Sequence, residues 1–473
     1  MQLSEDLQAR QQARDLLAGA EKAQLILKTL PQEKLDAICE AMTRAFSRQA
    51  DELAKMAVQE TGFGNTESKI QKNLFASEKV MMAIRDMKTV GILKQSQGLW
   101  EVGVPVGVIG AIIPSTNPTS TVCYKALISI KSGNTIVFSP HPKALRCTLK
   151  AAEILSRAAV QAGAPEGCIG CLSIASMAGC QELMTARETK LILATGGPAM
   201  VKAAYSSGKP AIGVGAGNGP VYIHRSADVR EALSCILRSK TFDNGTVCAS
   251  EQSIIVEAPM EEKVRETGKS LGFYFMSTEE AGKLGRLLFR PSGALNPEIV
   301  GKSAAFLAEK AGFSVPQGTH VLVAREQEAG PTRPYSMEKL CPVLAFFVME
   351  NEDAVLKRAI EVLTLEGSGH TFAIHAKDEA VIRKFALQIP VSRFLVNTPA
   401  ALGGIGATTR LFPALTLGCG AVGGSSSSNN ISPMDLINIR RVAWGEETPQ
   451  PHHEAVEEDL IEQITERILK RLQ

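Results

Sequence analysis

Cys248 is the residue of this sequence best suited to covalent chemistry. It lies in residues 241–252, TFDNGTVCASEQ, between a glycine-containing turn and a segment with strand character. A thiolate is the strongest ordinary side-chain nucleophile near neutral pH, and a loop between two lobes would expose it. The chain has ten cysteines, and a cysteine taken alone is usually a small apolar core residue. The surrounding sequence therefore has to decide the role of Cys248.

Three other cysteines have a spacing that invites a zinc site. Cys168 and Cys171 are separated by two residues, and Cys180 follows nearby. A structural zinc site needs four ligands, and no fourth Cys or His stands at a compatible short spacing. We therefore predict that the chain holds no metal.

The composition excludes several classes of protein. A chain of 473 residues with 45% hydrophobic and 21% charged residues is typical of a globular protein, with about three domains or lobes. A net charge of +2 without a long basic run argues against nucleic-acid binding. The apolar stretches are too short for a membrane helix, and the N-terminus lacks the apolar segment of a secretory signal. These features predict a cytoplasmic protein with reduced cysteines.

Helices, strands and turns must position the loop around Cys248. Up to about residue 85, helix-forming residues dominate and apolar positions recur three and four apart, which predicts helices. Residues 100–113 are rich in Val, Ile, Gly and Pro, which predicts strands and turns. Beyond them strands (134–138, 190–194, 253–256, 319–324, 343–348) alternate with helices (144–162, 198–206). This alternation, repeated on both sides of residues 240–250, predicts an α/β fold of two lobes with a cleft between them.

The last part of the chain differs in character. Residues 418–430, GCGAVGGSSSSNN, form either a flexible linker or a backbone-packed loop. Residues 446–454, EETPQPHHE, contain two prolines and no apolar residue, which predicts a linker over 446–455. Residues 456–473 follow as a predicted amphipathic helix, which either packs on its own domain or docks elsewhere. Its apolar stripe consists of Val456, Leu460, Ile461, Ile464, Ile468, Leu469 and Leu472.

The loop around Cys248 is one of six ordered motifs that together resemble the CoA-acylating aldehyde dehydrogenases. The likeness is greatest to the aldehyde dehydrogenase half of the bifunctional aldehyde/alcohol dehydrogenases, and it extends to about Trp444. The six motifs are IIPSTNPTST at 112–121, VFSPHP at 137–142, LATGGPAMVKAAYSSGKPAIGVGAGN at 193–218, SKTFDNGTVCASEQ at 239–252, EKLCPVLA at 338–345 and TLGCGAVGG at 416–424.

The resemblance implies an aldehyde dehydrogenase-like fold, with two α/β lobes and a small oligomerisation arm. The implied domains are a dinucleotide-binding lobe at 1–240, with the arm at about 88–104, and a catalytic lobe at 241–428. Residues 429–445 return to the arm, and the linker and the C-terminal helix follow. We expect a homodimer or a homotetramer.

The resemblance also implies roles for the reactive residues. Cys248 matches the nucleophile that adds to the aldehyde carbon. Asn117 matches the residue whose amide forms the oxyanion hole with the Cys248 backbone N–H, although a turn residue before proline is the ordinary role of such an asparagine. His370, in EGSGHT at 366–371, either deprotonates incoming CoA or is a structural histidine.

The acceptor of the acyl group is inferred from Val214. Hydrolytic relatives carry a glutamate in an E-L-G-G-K motif to activate water, and this motif aligns with residues 214–218, VGAGN. Valine cannot accept a proton, whereas the thiol of CoA is already partly ionised and strongly nucleophilic. We therefore predict acyl transfer to CoA rather than hydrolysis, in a reversible reaction.

The cofactor implied by the resemblance is NAD. Residues 195–197 match the glycine turn that lets a dinucleotide approach closely, and Glu338 matches the carboxylate that binds the nicotinamide ribose. NADP stays open, because Pro142 stands where many NAD-preferring enzymes have a carboxylate. The implied cofactor-binding residues are Ile113, Pro114, Thr116, Ser139, His141, Thr195, Gly196, Gly213, Val214, Glu338 and Leu340.

The sequence thus predicts an enzyme that converts a short-chain aldehyde, CoA and NAD to acyl-CoA and NADH. Acetaldehyde, propionaldehyde and sulfoacetaldehyde stay open as substrates. The alternatives are a hydrolytic aldehyde dehydrogenase, or a scaffold in which the C-terminal helix matters more than catalysis. That helix resembles the encapsulation peptides that load enzymes into bacterial microcompartments, so its implied partner is a shell protein or a partner enzyme.

Overall fold

Helices form the beginning of the chain, as predicted. The computed structural model describes residues 4–445 and 456–472. Helix α1 buries Ala9, Ala13, Leu17 and Ala20 at intervals of three and four residues, which is one face of a helix. These first helices are α1 (Glu5–Leu27), α2 (Gln32–Ser47), α3 (Ala50–Thr61), α4 (Thr66–Leu74) and α5 (Val80–Ile84).

A five-stranded parallel sheet forms the core of the first half of the chain. Its strands are β3 (Val108–Ile112), β4 (Ile136–Ser139), β5 (Ile169–Cys171), β6 (Thr189–Thr195) and β7 (Ala211–Val214), in the order β5-β4-β3-β6-β7. The helices that connect them are α6 (Pro118–Lys131), α7 (Leu145–Gln161), α8 (Met177–Thr185) and α9 (Pro198–Tyr205). Every residue of β3 and β4 is buried, as expected for a parallel sheet covered on both faces.

A seven-stranded parallel sheet organises the second half. Its strands are β8 (Gly219–Ile223), β9 (Glu251–Glu257), β10 (Phe273–Phe275), β11 (Val321–Glu326), β12 (Val343–Met349), β13 (Gly369–His375) and β14 (Val391–Val396), in the order β10-β11-β12-β9-β8-β13-β14. The helices that accompany them are α10 (Val229–Thr241), α11 (Glu261–Ser270), α12 (Thr278–Leu288), α13 (Ala304–Ala311), α14 (Glu352–Leu365), α15 (Glu379–Ala386) and α16 (Ala400–Gly404). The prediction of two α/β units is confirmed.

The change from one sheet to the other comes earlier in the chain than the predicted lobe boundary after residue 240. Strand β8 pairs with β9 and β13, so it already belongs to the seven-stranded sheet. Residues between β7, which ends at Val214, and β8, which begins at Gly219, make the crossing. The reason is topological, because β8 lies between β9 and β13 and completes the middle of the second sheet.

A small antiparallel sheet joins two distant parts of the chain. It consists of β1 (Gly91–Ser96), β2 (Leu99–Pro105) and β15 (Ile437–Ala443), in the order β1-β2-β15. The two segments that the sequence assigns to an oligomerisation arm therefore pair with each other. The late segment also packs into the first half, where Asn134 donates a hydrogen bond to the carbonyl of Leu436 at 2.8 Å.

The Gly/Ser-rich stretch at 418–430 is a backbone-packed loop. The N–H of Gly418 donates to the carbonyl of Asn429 at 2.9 Å, and that of Gly420 donates to Ser427 at 2.9 Å. Ser425 also donates its hydroxyl to the carbonyl of Gly213 at 3.0 Å. These bonds tie the stretch across itself and to the end of β7, so the linker alternative is wrong.

The predicted C-terminal helix is present as α17 (Val456–Leu472). Among its described side chains, Ile464, Ile468 and Leu469 are 50%, 54% and 60% exposed. The apolar stripe is therefore open to solvent over this part of the helix. The predicted linker at 446–455 lies outside the described residues.

Two further expectations concern metals and membranes. Within residues 4–445 and 456–472, no group of three or more His, Cys, Asp or Glu side chains is arranged to hold a metal ion, and all ten cysteines are free thiols. In the same part of the chain, none of the helices has the length and apolar character needed to cross a bilayer.

Candidate active site

Cys248 faces a cavity at the carboxyl ends of the first parallel sheet. The cavity has a volume of about 510 Å³. Its walls come from the segments that follow β3, β6 and β7, together with the Cys248 loop and residues 337–340. Open parallel sheets commonly bind ligands at this edge. Ten residues predicted from the sequence line it, namely Pro114, Thr116, Asn117, His141, Thr195, Gly196, Val214, Cys248, Glu338 and Leu340.

Four predicted residues do not line this cavity, namely Ile113, Ser139, Gly213 and His370. Gly213 lines an adjoining cavity of about 530 Å³, which shares Gly215, Ala216 and Glu366 with the first. Ile113 and Ser139 are buried. The carbonyl of Ser139 accepts the N–H of Ile113 at 3.0 Å. These two residues support the floor of the site through the sheet rather than through their side chains.

The Cys248 loop is held by an unusual turn. Asp243 and Asn244 both have a φ of 50°, which non-glycine residues adopt rarely and at an energetic cost. The buried Asp243 carboxylate compensates for this by accepting hydrogen bonds from the Thr246 hydroxyl at 2.7 Å and the Asn65 N–H at 2.9 Å. On the other side, a Cβ at Gly217 would lie 2.0 Å from the Cys248 carbonyl oxygen. The loop is thus fixed between two close contacts.

The surroundings of Cys248 disfavour its thiolate. Burial raises the pKa of this thiol to about 12, and the charges of Glu338 and Cys419 act in the same direction. Arg393 opposes them by lowering the pKa. The resting side chain is therefore a thiol at neutral pH, and its proton has to leave when the sulfur attacks an electrophile.

Asn117 brings its amide beside the Cys248 loop. It is the residue before Pro118, with which α6 begins, and proline is favoured at the first position of a helix. Its Nδ2 donates to the carbonyl of Thr246 at 3.2 Å, and its Oδ1 accepts from Lys72 Nζ. A primary amide carries two N–H donors, and Nδ2 is also 3.3 Å from the hydroxyl of Thr116, which lines the same cavity.

Glu338 forms part of the opposite wall. Its Oε1 accepts the N–H of Gly217 at 2.9 Å, and its own N–H donates to Glu366 at 2.9 Å. Burial raises the pKa of Glu338 to about 8, and the charge of Glu366 adds to this effect. The carboxyl is consequently protonated below about pH 8 and can donate as well as accept a hydrogen bond.

His370 lies outside the cavity wall. Its side chain is fully buried, and its Nδ1 is 2.8 Å from the hydroxyl of Thr371. Burial lowers the pKa of this imidazole well below its usual value, so it is neutral near pH 7. It packs behind Gly217, where a Cβ would be 3.2 Å from His370 Cε1. This position suits a histidine that supports the Cys248 loop.

The wall that the sequence assigns to the cofactor fits a dinucleotide. The Oγ1 of Thr195 is buried without a hydrogen-bond partner in the protein. Gly196 and Gly197 follow it, and α9 begins directly afterwards. A polar atom awaiting a partner, two residues without side chains and a helix N-terminus form a cradle suited to the backbone and phosphates of a nucleotide.

Several residues of the site were not predicted from the sequence. Lys72 and Glu366 line the cavity, and Asp243 holds the Cys248 loop. Lys69 and Lys72 are three residues apart in α4, a spacing that is also common for exposed lysines. The sequence therefore did not indicate that both side chains are only 3% exposed. Asp243 could have been identified as a site residue from the sequence, because it lies in the same motif as Cys248.

The fold and this site place the chain in the aldehyde dehydrogenase family. The sequence model of that family matches residues 5–270. The chain is 35% identical over 446 residues to the acetylating succinate-semialdehyde dehydrogenase of Clostridium kluyveri, covering 94% of this chain and 98% of that protein. The chain therefore belongs to this family, and among its relatives are acylating members.

Other relatives are longer proteins or solved structures. The bifunctional aldehyde-alcohol dehydrogenase of Escherichia coli K12 is 43% identical over 435 residues, which are 90% of this chain and 49% of that protein. The chain thus spans about half the length of the first curated relatives that it matches. A crystal structure of an acetylating aldehyde dehydrogenase from Geobacillus thermoglucosidasius shares 49% identity and a TM-score of 0.92, covering 94% of this chain and 99% of that one.

A second solved structure comes from a bacterial microcompartment. It is a propionaldehyde dehydrogenase from the fucose utilisation bacterial microcompartment of Clostridium phytofermentans. It shares 28% identity and a TM-score of 0.83 with this chain, covering 91% of this chain and 97% of its own.

Proposed function

We propose that this protein is a CoA-acylating aldehyde dehydrogenase that uses Cys248 as its nucleophile. The observation that carries the proposal is the composition of the cavity wall facing Cys248. Asn117 places its amide N–H donors there, whereas the end of β7 and the segment after it offer Val214, Gly215 and Ala216, whose side chains cannot accept a proton. An acyl group on Cys248 would then wait for a nucleophile that needs little activation, and a thiol meets that requirement.

The first step joins the Cys248 sulfur to the aldehyde carbon. The S–H bond breaks, its proton passes to solvent, the C–S bond forms, and the carbonyl oxygen becomes negatively charged. The Asn117 amide and the Cys248 backbone N–H donate hydrogen bonds to that oxygen, which stabilises the charge where it develops. The rigid loop around Cys248 keeps these donors in place throughout the step.

The second step is oxidation to a thioester, for which a bound nicotinamide dinucleotide would supply the hydride acceptor. Thr195, Gly196 and Glu338 would hold it, since they provide an unpaired hydroxyl, room for close approach and a carboxyl facing the cavity. The thiolate of CoA then attacks the thioester carbon, the bond to Cys248 breaks, and the cysteine sulfur leaves as a thiolate. The thioester linkage is conserved, so the reaction is reversible. We propose NAD as the cofactor, with NADP as the alternative that a direct comparison would decide.

Product analysis tests this proposal. The protein, incubated with NAD, CoA and acetaldehyde, propionaldehyde or sulfoacetaldehyde, is expected to form acyl-CoA and NADH in equal amounts. Omission of CoA should abolish turnover, and Cys248→Ala should abolish activity while the far-ultraviolet circular dichroism stays unchanged. Formation of the free acid without CoA would favour the hydrolytic alternative, in which a group other than Val214 activates water. A folded protein that is inactive on every aldehyde would favour the scaffold alternative.

We further propose that helix α17 directs the enzyme into a bacterial microcompartment. The open apolar side chains Ile464, Ile468 and Leu469 support this proposal. Burying the exposed part of each would contribute about 1–2 kcal/mol, so the helix is more stable against a shell protein or partner enzyme than in water. A compartment that retains volatile aldehydes suits the proposed reaction.

A reporter fusion tests the compartment proposal. Residues 446–473 attached to a fluorescent protein should give discrete foci in cells that produce shells, and diffuse fluorescence in cells without shells. The matched control carries Ile464→Glu and Ile468→Glu, which keep the length of the segment but remove its apolar stripe. If the unaltered fusion is diffuse in shell-producing cells, the helix has another role.

A further inference from the structure

Lys72 stands out as a buried ammonium group next to the reacting loop. It lies in α4, far from Cys248 in sequence, and its side chain is only 3% exposed. Its Nζ donates to Asp243 Oδ2 at 2.5 Å, to Asn117 Oδ1 at 2.5 Å and to Thr246 Oγ1 at 3.3 Å. It therefore touches the oxyanion-hole amide and the turn that leads to Cys248 at the same time.

The contact with Lys72 determines which way the Asn117 amide faces. An ammonium group has donors only, so the atom it approaches must be the amide oxygen. The NH₂ group is then turned to the other side, where one hydrogen reaches the carbonyl of Thr246 at 3.2 Å. If the amide rotated by half a turn, its oxygen would face the developing negative charge and oppose the reaction.

Lys72 is itself held in place by Asp243. This carboxylate is fully buried and also accepts from Lys69 Nζ at 2.9 Å. The absence of a side chain at Gly64 makes room for it, because a Cβ there would lie 1.8 Å from Asp243 Oδ1. Two ammonium groups thus face one carboxylate in a buried setting.

The net charge of the cluster formed by Lys69, Lys72 and Asp243 also favours a negatively charged oxygen beside Cys248. Two positive groups against one negative group leave an excess of positive charge beside the Cys248 loop, and such a charge acts strongly where water is excluded. Burial lowers the pKa of Lys72 to about 8, while the charges of Asp243 and Cys248 act to raise it. Both of these charges oppose the effect of burial, and the contribution of Cys248 indicates that the ammonium lies within electrostatic reach of the reacting sulfur.

We propose that Lys72 is a positioning residue that fixes the Asn117 amide with its N–H donor towards the oxyanion. The inference rests on the proposed function, because it concerns the negative oxygen formed when Cys248 adds to an aldehyde. Lys69 is the natural comparison. It shares Asp243 with Lys72 and is equally buried, but it donates to the Thr116 carbonyl at 2.8 Å and does not contact the amide.

A double-mutant cycle tests the inference. Lys72→Met is expected to lower kcat about 10- to 100-fold with little change in KM, since loss of a whole oxyanion-hole donor costs about 10²–10³ in kcat. Lys69→Met removes the same charge from Asp243 and should lower kcat less than about threefold. In an Asn117→Ala background, Lys72→Met should have almost no further effect, because residues that act through one group are not additive.

The outcomes are distinguishable. Independent effects of Lys72→Met and Asn117→Ala, or an equal loss of kcat in Lys69→Met, would overturn the inference while leaving the proposed function intact. A wild-type protein that makes no acyl-CoA would overturn the proposed function and the inference with it. If Lys72→Met does not fold, as judged by circular dichroism, Lys72→Gln replaces it in the same cycle, with the same expectation that its loss of kcat vanishes in the Asn117→Ala background.

Discussion

At the scale of single residues, the proposed nucleophile is a neutral thiol, and the positively charged groups of the site are not in direct contact with its sulfur. The Cys248 thiol is held neutral by burial, to which the charge of Glu338 adds above about pH 8. The positive groups Lys72 and Arg393 lie around the loop rather than as direct partners of the sulfur. This arrangement limits oxidation and alkylation of the resting enzyme, because the thiolate is the reactive form.

Glu338→Gln should change the reactivity of Cys248 in a pH-dependent way. Above about pH 8 the Glu338 carboxyl is charged and raises the pKa of Cys248. Its removal should therefore speed alkylation of Cys248 by iodoacetamide at pH 9, by about threefold to tenfold, since one pKa unit is a tenfold change in thiolate. At pH 6.5 the carboxyl is protonated in the wild type, so the two rates should be equal. Alkylation can be followed by peptide mass spectrometry, with Cys235 in α10 as the internal control, and equal rates at pH 9 would contradict the prediction.

At the scale of elements, the site depends on loops that approach one another very closely. The connection between β7 and β8 packs against the Cys248 loop through Gly217, whose N–H also binds Glu338. One residue without a side chain thus sets the distance between the nucleophile and the opposite wall. Its sequence neighbours, Gly215 and Ala216, line the cavity on the same connection.

Gly217→Ala should therefore damage the site. The added Cβ would lie 2.0 Å from the Cys248 carbonyl oxygen, so the loop has to shift. We expect a loss of kcat of at least about 100-fold, because small misplacements of reacting groups are costly, and a lower thermal unfolding temperature. Gly19→Ala is the matched control. It adds a methyl group in helix α1 with no atom within 4 Å, and should stabilise the protein by about 0.5–1 kcal/mol. Unchanged kcat in Gly217→Ala would refute the close packing of the two loops.

The sequence predicts local elements well and long-range contacts poorly. The periodicity of β6, β9 and β12 and of α7 is strong within each segment, and all four elements are present. Strand β8 was missed because it is only five residues long and contains Pro220, which weakens a strand signal. The triad of Lys69, Lys72 and Asp243 joins residues about 170 positions apart, and no local pattern reveals such a pairing.

At the scale of the whole molecule, the three-stranded sheet is the feature best suited to pair subunits. We propose that it forms the oligomerisation arm, as the resemblance to the family implies. Several apolar side chains on or beside its strands are 37–50% exposed, namely Ile92, Leu99, Ile439, Val442 and Trp444. A second copy of the chain could cover them, and burial of the exposed part of each would contribute about 1 kcal/mol.

Charges on this sheet should therefore separate the subunits. The double variant Ile439→Glu and Val442→Glu is expected to elute as a monomer in size-exclusion chromatography with light scattering, whereas the wild type elutes as a dimer or tetramer. Ile464→Glu in α17 is the control and should leave the measured mass of the oligomer unchanged. A monomeric wild type, or a double variant of unchanged mass, would contradict the role of the arm.

The return of the last strand to the first half of the chain has a consequence for biosynthesis. The core beneath α6 includes Leu417, Ile431 and Leu436, and the Tyr124 hydroxyl of that helix donates to the carbonyl of Ile431. A ribosome delivers the opening helices and five strands long before these closing partners leave the exit tunnel. The nascent chain must therefore keep the apolar side of α6 shielded until translation is almost complete, and a polypeptide truncated near residue 400 would offer that surface to chaperones and proteases instead.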